Sequence, residues 1–156
     1  MDKLLIIKHA KGAPGLRLLG LGPNLRPMRG VEKLQLLLNK HAFWAKNRNA
    51  TQLRKMIYKS SVVVSVWQHK NLVGFGRATS DEIFRAVLWD VVVANEQQGS
   101  GLGRKLVNAL LDSSEIKQVE KVYLMTTNCV EFYEQIGFKT PGNQTLLILE
   151  NNQKTK

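Results

Sequence analysis

Apolar residues recur along this chain with two different periods, and the change from one to the other divides it. In "VEKLQLLLNKHAFWA", residues 31–45, Val31, Leu34 and Leu38, followed by Ala42 or Ala45, return every three or four positions and predict a first helix. "TQLRKMIYKS", residues 51–60, repeats that spacing with Leu53, Met56 and Ile57, predicting a second helix after the polar break at 47–49. From residue 61 the helical period is lost. "SVVVSVWQ", "LVGFGRATS" and "FRAVLWDVVVA" are β-branched or aromatic runs that read as strands. "HKN" and "DEI" separate them, connections short enough for antiparallel hairpins. Helical spacing returns at Leu102, Leu106, Ala109 and Leu110. "KVYLMTT", residues 121–127, predicts a buried strand, parallel to its predecessor because a helix crosses between them. "VEFYEQIG" predicts a short helix capped by Gly137, and "TLLILE", residues 145–150, a last strand.

The first thirty residues are harder to read. Residues 12–30 hold five of the 12 glycines and three of the four prolines, which reads as a loop or irregular arm with one short strand at 16–19. "KLLII" at 3–7 is the other candidate for a first strand, and the pattern does not choose between them. The expected whole is a single mixed α/β domain. Residues 1–30 form an irregular basic arm, 31–150 a core with an antiparallel meander and a helix-crossed parallel strand pair, and 151–156 a polar tail.

Composition narrows the class. At 156 residues and 44% hydrophobic, the chain is long enough to bury a real core and too apolar to be disordered. No apolar run approaches the roughly 20 residues of a membrane helix, and the first residues fit neither a secretory signal nor a transit peptide. The expected compartment is the one where the chain is made, the cytoplasm or, for a plastid-encoded chain, the stroma. Cys129 is the only cysteine, so no internal disulfide is possible. His9, His41 and His69 show no metal-ligand spacing, and no metal is expected. The net charge of +11 is uneven: residues 1–60 carry 13 Lys/Arg against two acids, whereas residues 61–156 balance. A cationic face attracts an anionic partner, whether phosphorylated cofactor, acidic protein or nucleic acid, or simply keeps the surface solvated.

Candidate chemistry begins at "QGSGLGRKLV", residues 98–107. Spacing excludes three anion-binding or nucleophile motifs: Arg104 stands where a dinucleotide turn needs its third glycine and where a P-loop needs its second, and Gln98 stands where a nucleophile elbow needs its first. What remains is Q-x-x-G-x-G, with Gln98, Gly99, Ser100, Gly101, Leu102 and Gly103, followed by Arg104 and Lys105. The first turn of a helix has backbone N–H groups without intrahelical partners, and glycines let a pyrophosphate approach them. Tight strand–helix packing would use the same glycines.

Three segments in order carry a resemblance. "QGSGLGRKLV" looks like the acetyl-coenzyme A pyrophosphate motif of the GNAT acyltransferase superfamily, "VVV" at 91–93 falls where its splayed central strand binds the pantetheine arm, and "FYEQIGF" at 132–138 is similar to its next motif. "VGFGRATSDEIFRAVLWDVVV", "VYLMTT" and "NKHAFWAKNR" resemble the cyanobacterial and plastid-type branch, which includes serotonin (arylalkylamine) N-acetyltransferases and enzymes that acetylate protein lysines or amino termini. The resemblance implies a GNAT-like fold and direct attack of a neutral primary amine on acetyl-CoA in a ternary complex. A lysine-like amine is neutral in only about one molecule in 2,500 at pH 7, so it must lose a proton; the oxyanion needs fixed donors, and the departing thiolate a proton.

Residue roles follow from that resemblance, each with a plainer alternative. The amides of Val91, Val92 and Val93 would meet the thioester oxygen, unless the strand is fully paired. Tyr133, turned about 100° from the core-facing Phe132, would donate to the thiolate, or simply pack. Asn128 would bond the pantetheine amide, or cap a helix. Asp90 is the first candidate for general base, though it can pair with Arg77 or Arg85 instead; Tyr123 is the second. Phe43 and Trp44 would wall the acceptor site, or anchor the core. Cys129 is read as packing. The different-class alternative is a non-enzymatic basic module that binds RNA or an acidic protein, with the fold kept as scaffold. Oligomerisation is compatible with either reading.

Overall fold

The structure, a computed structural model, describes residues 3–151. Two compact units divide the chain, residues 1–125 and 126–156. The first unit holds a five-stranded sheet in the order β1-β2-β3-β4-β5. These are β1 (Leu4–Lys8), β2 (Val62–Gln68), β3 (Asn71–Ser80), β4 (Arg85–Val93) and β5 (Lys121–Tyr123), with helices α1 (Pro14–Leu19), α2 (Gly30–His41), α3 (Ala50–Tyr58) and α4 (Leu102–Leu111).

The meander is as the alternation predicts: β2 to β4 pair antiparallel, and β5 joins β4 parallel after the α4 crossover. β2 is buried at six of its seven positions, which explains why its run is apolar without alternation. Asp81 holds the β3–β4 turn together, its Oδ1 accepting from the N–H groups of Ile83, Phe84 and Arg85. Trp67, Phe75, Leu34, Leu38, Leu53 and Ile57 are buried, as are Leu102, Leu106 and Leu110 of α4. Gly76 lets α4 lie close to the sheet: a Cβ there would stand 2.9 Å from Leu110 Cδ1.

Several expectations need correction. Residues 3–7 do supply the first strand, since β1 pairs with β2, whereas 16–19 lie in α1 with Leu16 fully buried. Pro14 at the first turn and Gly20 in the left-handed region bound that helix, so glycine and proline there mark its ends. Residues 3–30 are accordingly not an irregular arm. The strand expected over 121–127 spans only 121–123 and is half-buried.

The second unit is small. Helix α5 (Val130–Ile136) ends at Gly137 with φ 117°, the cap that was expected. None of its side chains is fully buried, so Phe132 and Ile136 are not core residues in the sense predicted. Residues 145–150 form no strand, and Leu146 to Leu149 are 62–90% exposed. An apolar run supplies β propensity, but a strand also needs a neighbour for its backbone bonds, so the run alone does not make one. Of the expected polar tail, only Asn151 lies within the described residues.

Candidate active site

Strand β4 changes character at Asp90. Its register pairs Leu88 with Ala78 and Val92 with Phe75, four residues apart on β4 but three on β3, so β4 carries an extra residue opposite Gly76. Asp90 sits in that bulge with φ 52°, a conformation that Asp tolerates better than most residues. The bulge turns both Trp89 and Asp90 toward the face that carries α2 and α3: Arg77, which faces Ser60 at the end of α3, lies 5.8 Å from the Trp89 ring and bonds Asp90. Gly76 faces α4 and Val91 on the other side.

Among the described residues, the pairing of β4 with β5 ends at Val87 opposite Tyr123. The Ala94 N–H donates to the Val73 carbonyl across β3 at 2.8 Å. Strand alternation then turns the Val93 N–H the other way, toward the side β5 has left. Val92 is buried, and Val91 and Val93 are half-buried. β4 thus outruns its parallel neighbour over residues 88–93.

The glycine turn follows directly. A tight bend over 95–98 is closed by Gln97 N–H to the Ala94 carbonyl and Gln98 N–H to the Asn95 carbonyl, and the Ser100 hydroxyl donates to the Gln97 carbonyl. Gly99 and Gly101 both adopt the left-handed region, φ 81° and 83°, and a Cβ on either would meet nothing within 4 Å. The first bond into α4 runs from Lys105 N–H to the Gly101 carbonyl, so the amides of Leu102 and Gly103 precede the helical ladder. Gly103 lies inside α4, and Leu102 is its first buried anchor. Arg104 and Lys105 bring positive charge into the same turn. Left-handed glycines with open space at their Cβ positions, directly before amides that precede the helical ladder, suit a diphosphate, and the residues present fit it.

On the other face, Phe43 and Trp44 form an edge-to-face pair, centroids 5.1 Å apart, in a short turn between α2 and α3. They are 62% and 47% exposed, which excludes the core anchoring that was their alternative. The indole of Trp44 donates to Asp90 Oδ1 at 3.1 Å. Arg77 Nε and Arg48 Nη1 meet Asp90 Oδ2 at 2.8 and 3.1 Å. Burial pushes the Asp90 carboxyl up, but the bonds and charges of Arg77 and then Arg48 outweigh it and hold the group below its ordinary range. Arg85, the other expected partner, pairs with Glu120 instead. Arg48 was not singled out in the sequence, and neither was His41, whose Nδ1 accepts the Asn95 N–H at 3.3 Å. A lone basic residue in a polar break carries no sequence signal of such a role.

Within the second unit, Asn128, Cys129, Val130, Glu131 and Phe132 line an open depression. Cys129 precedes α5 at the cap position, and the Asn128 Oδ1 accepts from its thiol, so Asn128 is no N-cap. Tyr133 stacks edge-on against Phe132 and Phe138, and burial, then Cys129, pushes its phenol up to about 12. Tyr123 ends β5, half-buried.

The pattern of the acetyltransferase (GNAT) domain family matches residues 29–146. The chain belongs to this family. An uncharacterized N-acetyltransferase ycf52-like protein of Prochlorococcus marinus is 34% identical over 119 residues, 73% of this chain and 64% of the relative. An uncharacterized N-acetyltransferase ycf52 of Gracilaria tenuistipitata var. liui is 30% identical over 145 residues, 89% of this chain and 77% of the relative. A chloroplastic GCN5-related N-acetyltransferase of Arabidopsis thaliana is 41% identical over 46% of this chain and 28% of its own length. The match therefore spans less than two thirds of the Prochlorococcus and Arabidopsis relatives. A GNAT-family acetyltransferase from Streptococcus pneumoniae has the same fold, with TM-score 0.72 over 97% of this chain and all of that one at 20% identity. Among the described residues, no helix is long and apolar enough to cross a membrane.

Proposed function

We propose that this GNAT chain is an N-acetyltransferase that moves the acetyl group of acetyl-CoA to a primary amine by direct attack. The observation that carries the reading is the glycine turn, where Gly99 and Gly101 adopt the left-handed region with open space where a Cβ would stand, directly before the first amides of α4. When bound, acetyl-CoA supplies the activated acetyl group: the amine nitrogen forms the new C–N bond, the C–S bond breaks, and coenzyme A leaves as its thiol.

The residues divide the work. Amides of the 98–104 turn hold the diphosphate, with Gln98, Ser100, Arg104 and Lys105 around it. The N–H of Val93, and of Val91 across the bulge, offer donors where negative charge develops on the thioester oxygen. Val92 anchors the strand between them. Asn128 bonds the pantetheine arm. The Tyr133 phenol, kept neutral at every working pH by its raised pKa of about 12, donates a hydrogen bond to the departing sulfur. Full transfer of its proton to a thiolate of pKa near 8.5 is uphill, so the proton that completes the thiol comes from the amine. Of the two expected bases, Asp90 is tied to two guanidiniums, which leaves Tyr123 or solvent to take the ammonium proton.

Exposed Phe43 and Trp44 suit an amine on an aromatic or aliphatic stem, an arylalkylamine such as serotonin, a protein lysine or an amino terminus. The names of the ycf52-like and Arabidopsis relatives support a plastid or cyanobacterial setting, and the cytoplasm or stroma as the compartment. Calorimetry with acetyl-CoA, then thiol release across arylalkylamines, peptides and polyamines, tests the proposal. A basic binding module would give no heat with acetyl-CoA and salt-sensitive binding to RNA.

A further inference from the structure

One carboxylate in this molecule gathers donors from three separate places in the chain. Asp90 Oδ1 accepts the Trp44 indole N–H, and its Oδ2 accepts from Arg77 on β3 and Arg48 just before α3. The Asp90 side chain is 5% exposed, so its surroundings are these donors rather than water. The turn at 43–45 is otherwise tied to α2 and itself: Ala42 N–H donates to the Leu38 carbonyl, Ala45 N–H to the Ala42 carbonyl and Asn47 N–H to Asn39 Oδ1. Ala45 is buried, and Phe43 and Trp44 are 62% and 47% exposed. Arg48 is held on its far side by Gln35, which donates to its carbonyl at 3.0 Å, and its other contact is Met56 Sδ within α3. The carboxylate joins this segment to the central strand, alongside the bond from the Asn95 N–H to His41 Nδ1 at the end of α2.

We propose that Asp90 is a positioning residue: it latches the aromatic turn at 43–45 and the start of α3 onto the bulge of β4, and it takes no proton from the amine. The bulge is part of the device. In a regular strand, residues 89 and 90 would face opposite sides; the extra residue keeps both on the face where Trp44 and Arg48 arrive. Two guanidiniums on one buried carboxylate also explain why it is a poor proton acceptor, since accepting one would leave both cations without their partner. The proposal rests on the acetyltransferase reading, because an acceptor wall has meaning only there.

Asp90→Asn preserves shape and removes the charge. The latch predicts that the KM for the amine rises by about tenfold or more, while kcat at saturating amine falls less than about fivefold and acetyl-CoA affinity stays within about twofold. Hydrogen exchange of the amides over 43–49 should quicken by about tenfold or more, with the β2–β3 ladder unaffected. Trp44→Phe, which keeps the ring and removes its N–H, should move both readouts the same way, and the two substitutions together should do less than their sum. A kcat loss of about a thousandfold at unchanged amine KM would make Asp90 the base and overturn the proposal. Unchanged exchange over 43–49 would overturn it too. If the wild-type protein binds no acetyl-CoA, the enzymatic reading fails, and the exchange measurement still decides the latch. Should Asp90→Asn not fold, Trp44→Phe and Arg48→Gln give the same readouts.

Discussion

Three residues in the left-handed region sit within twelve positions of one another, and only one of them carries a side chain. Gly99 and Gly101 lie at φ 81° and 83° with empty space where a Cβ would be; Asp90 lies at φ 52° with its carboxylate fully engaged. The glycines are therefore read by what they leave vacant. Gly101→Val should keep the fold, because its side chain meets nothing, at about 1–2 kcal/mol of backbone strain. Its affinity for acetyl-CoA should fall beyond detection by calorimetry, and retained affinity would refute the phosphate turn. Tyr133 tests the other end of the reaction. Tyr133→Phe should lower turnover by about tenfold or more while leaving acetyl-CoA binding within about twofold. Unchanged turnover would remove the phenol from the mechanism. The sequence offered Gly99 and Gly101 through spacing alone, since a motif of bare positions is visible as letters. It offered Asp90 with several partners, and nothing in a string of residues could show that Arg48 and Trp44, more than forty positions earlier, close on it.

At the scale of elements, helices with their own end signals were the most legible. Helix α3 starts at a capping box: Asn49 Oδ1 accepts the Gln52 N–H at 2.8 Å, and Gln52 Oε1 accepts the Asn49 N–H at 2.9 Å. Asn49→Ala should cost about 1 kcal/mol in denaturant unfolding. Because α3 follows the aromatic turn directly, a loss near zero would mean that packing of Leu53 and Ile57, rather than the cap, sets where this helix begins. Strands were legible only where partners lay nearby. β2, β3 and β4 meet through short turns, so local sequence nearly defines the sheet. Residues 145–150 are also rich in apolar side chains, yet they stay irregular. α1 was missed for the opposite reason. Its Gly and Pro suggest a loop until tertiary contact buries Leu16 and makes those residues the boundaries of a helix.

For the whole molecule, a half-buried histidine ties the end of β1 to the sheet and gives stability a pH dependence. His9 Nε2 lies 2.7 Å from the Ser65 hydroxyl, which also accepts the Trp67 indole N–H at 2.9 Å. Burial pushes the His9 pKa from 6.5 down to about 4. The unfolded chain therefore takes up a proton near pH 6.5 that the folded chain refuses, and stability falls as pH drops from there to about 4. The loss should be on the order of 3 kcal/mol, read from denaturant melts between pH 7 and pH 4. His9→Gln should flatten that window; an unaltered slope would assign it to other groups. Asp81 and Asp90, with lowered pKa values, lose their contribution only below their unfolded value of 3.8.

The order of elements from α2 to α5, the parallel crossover, the glycine turn and the family all follow from the sequence by itself, because period, turn chemistry and motif spacing are local properties of a chain. Tertiary structure alone decided that β4 is bulged and outruns β5, that an apparent arm is a strand and a helix, and that Asp90 is bound by Arg77, Arg48 and Trp44. The reason is physical. Register, burial and ion pairing depend on which distant segments meet, and a charged side chain acquires its partners, and with them its proton affinity, only when the fold removes it from water.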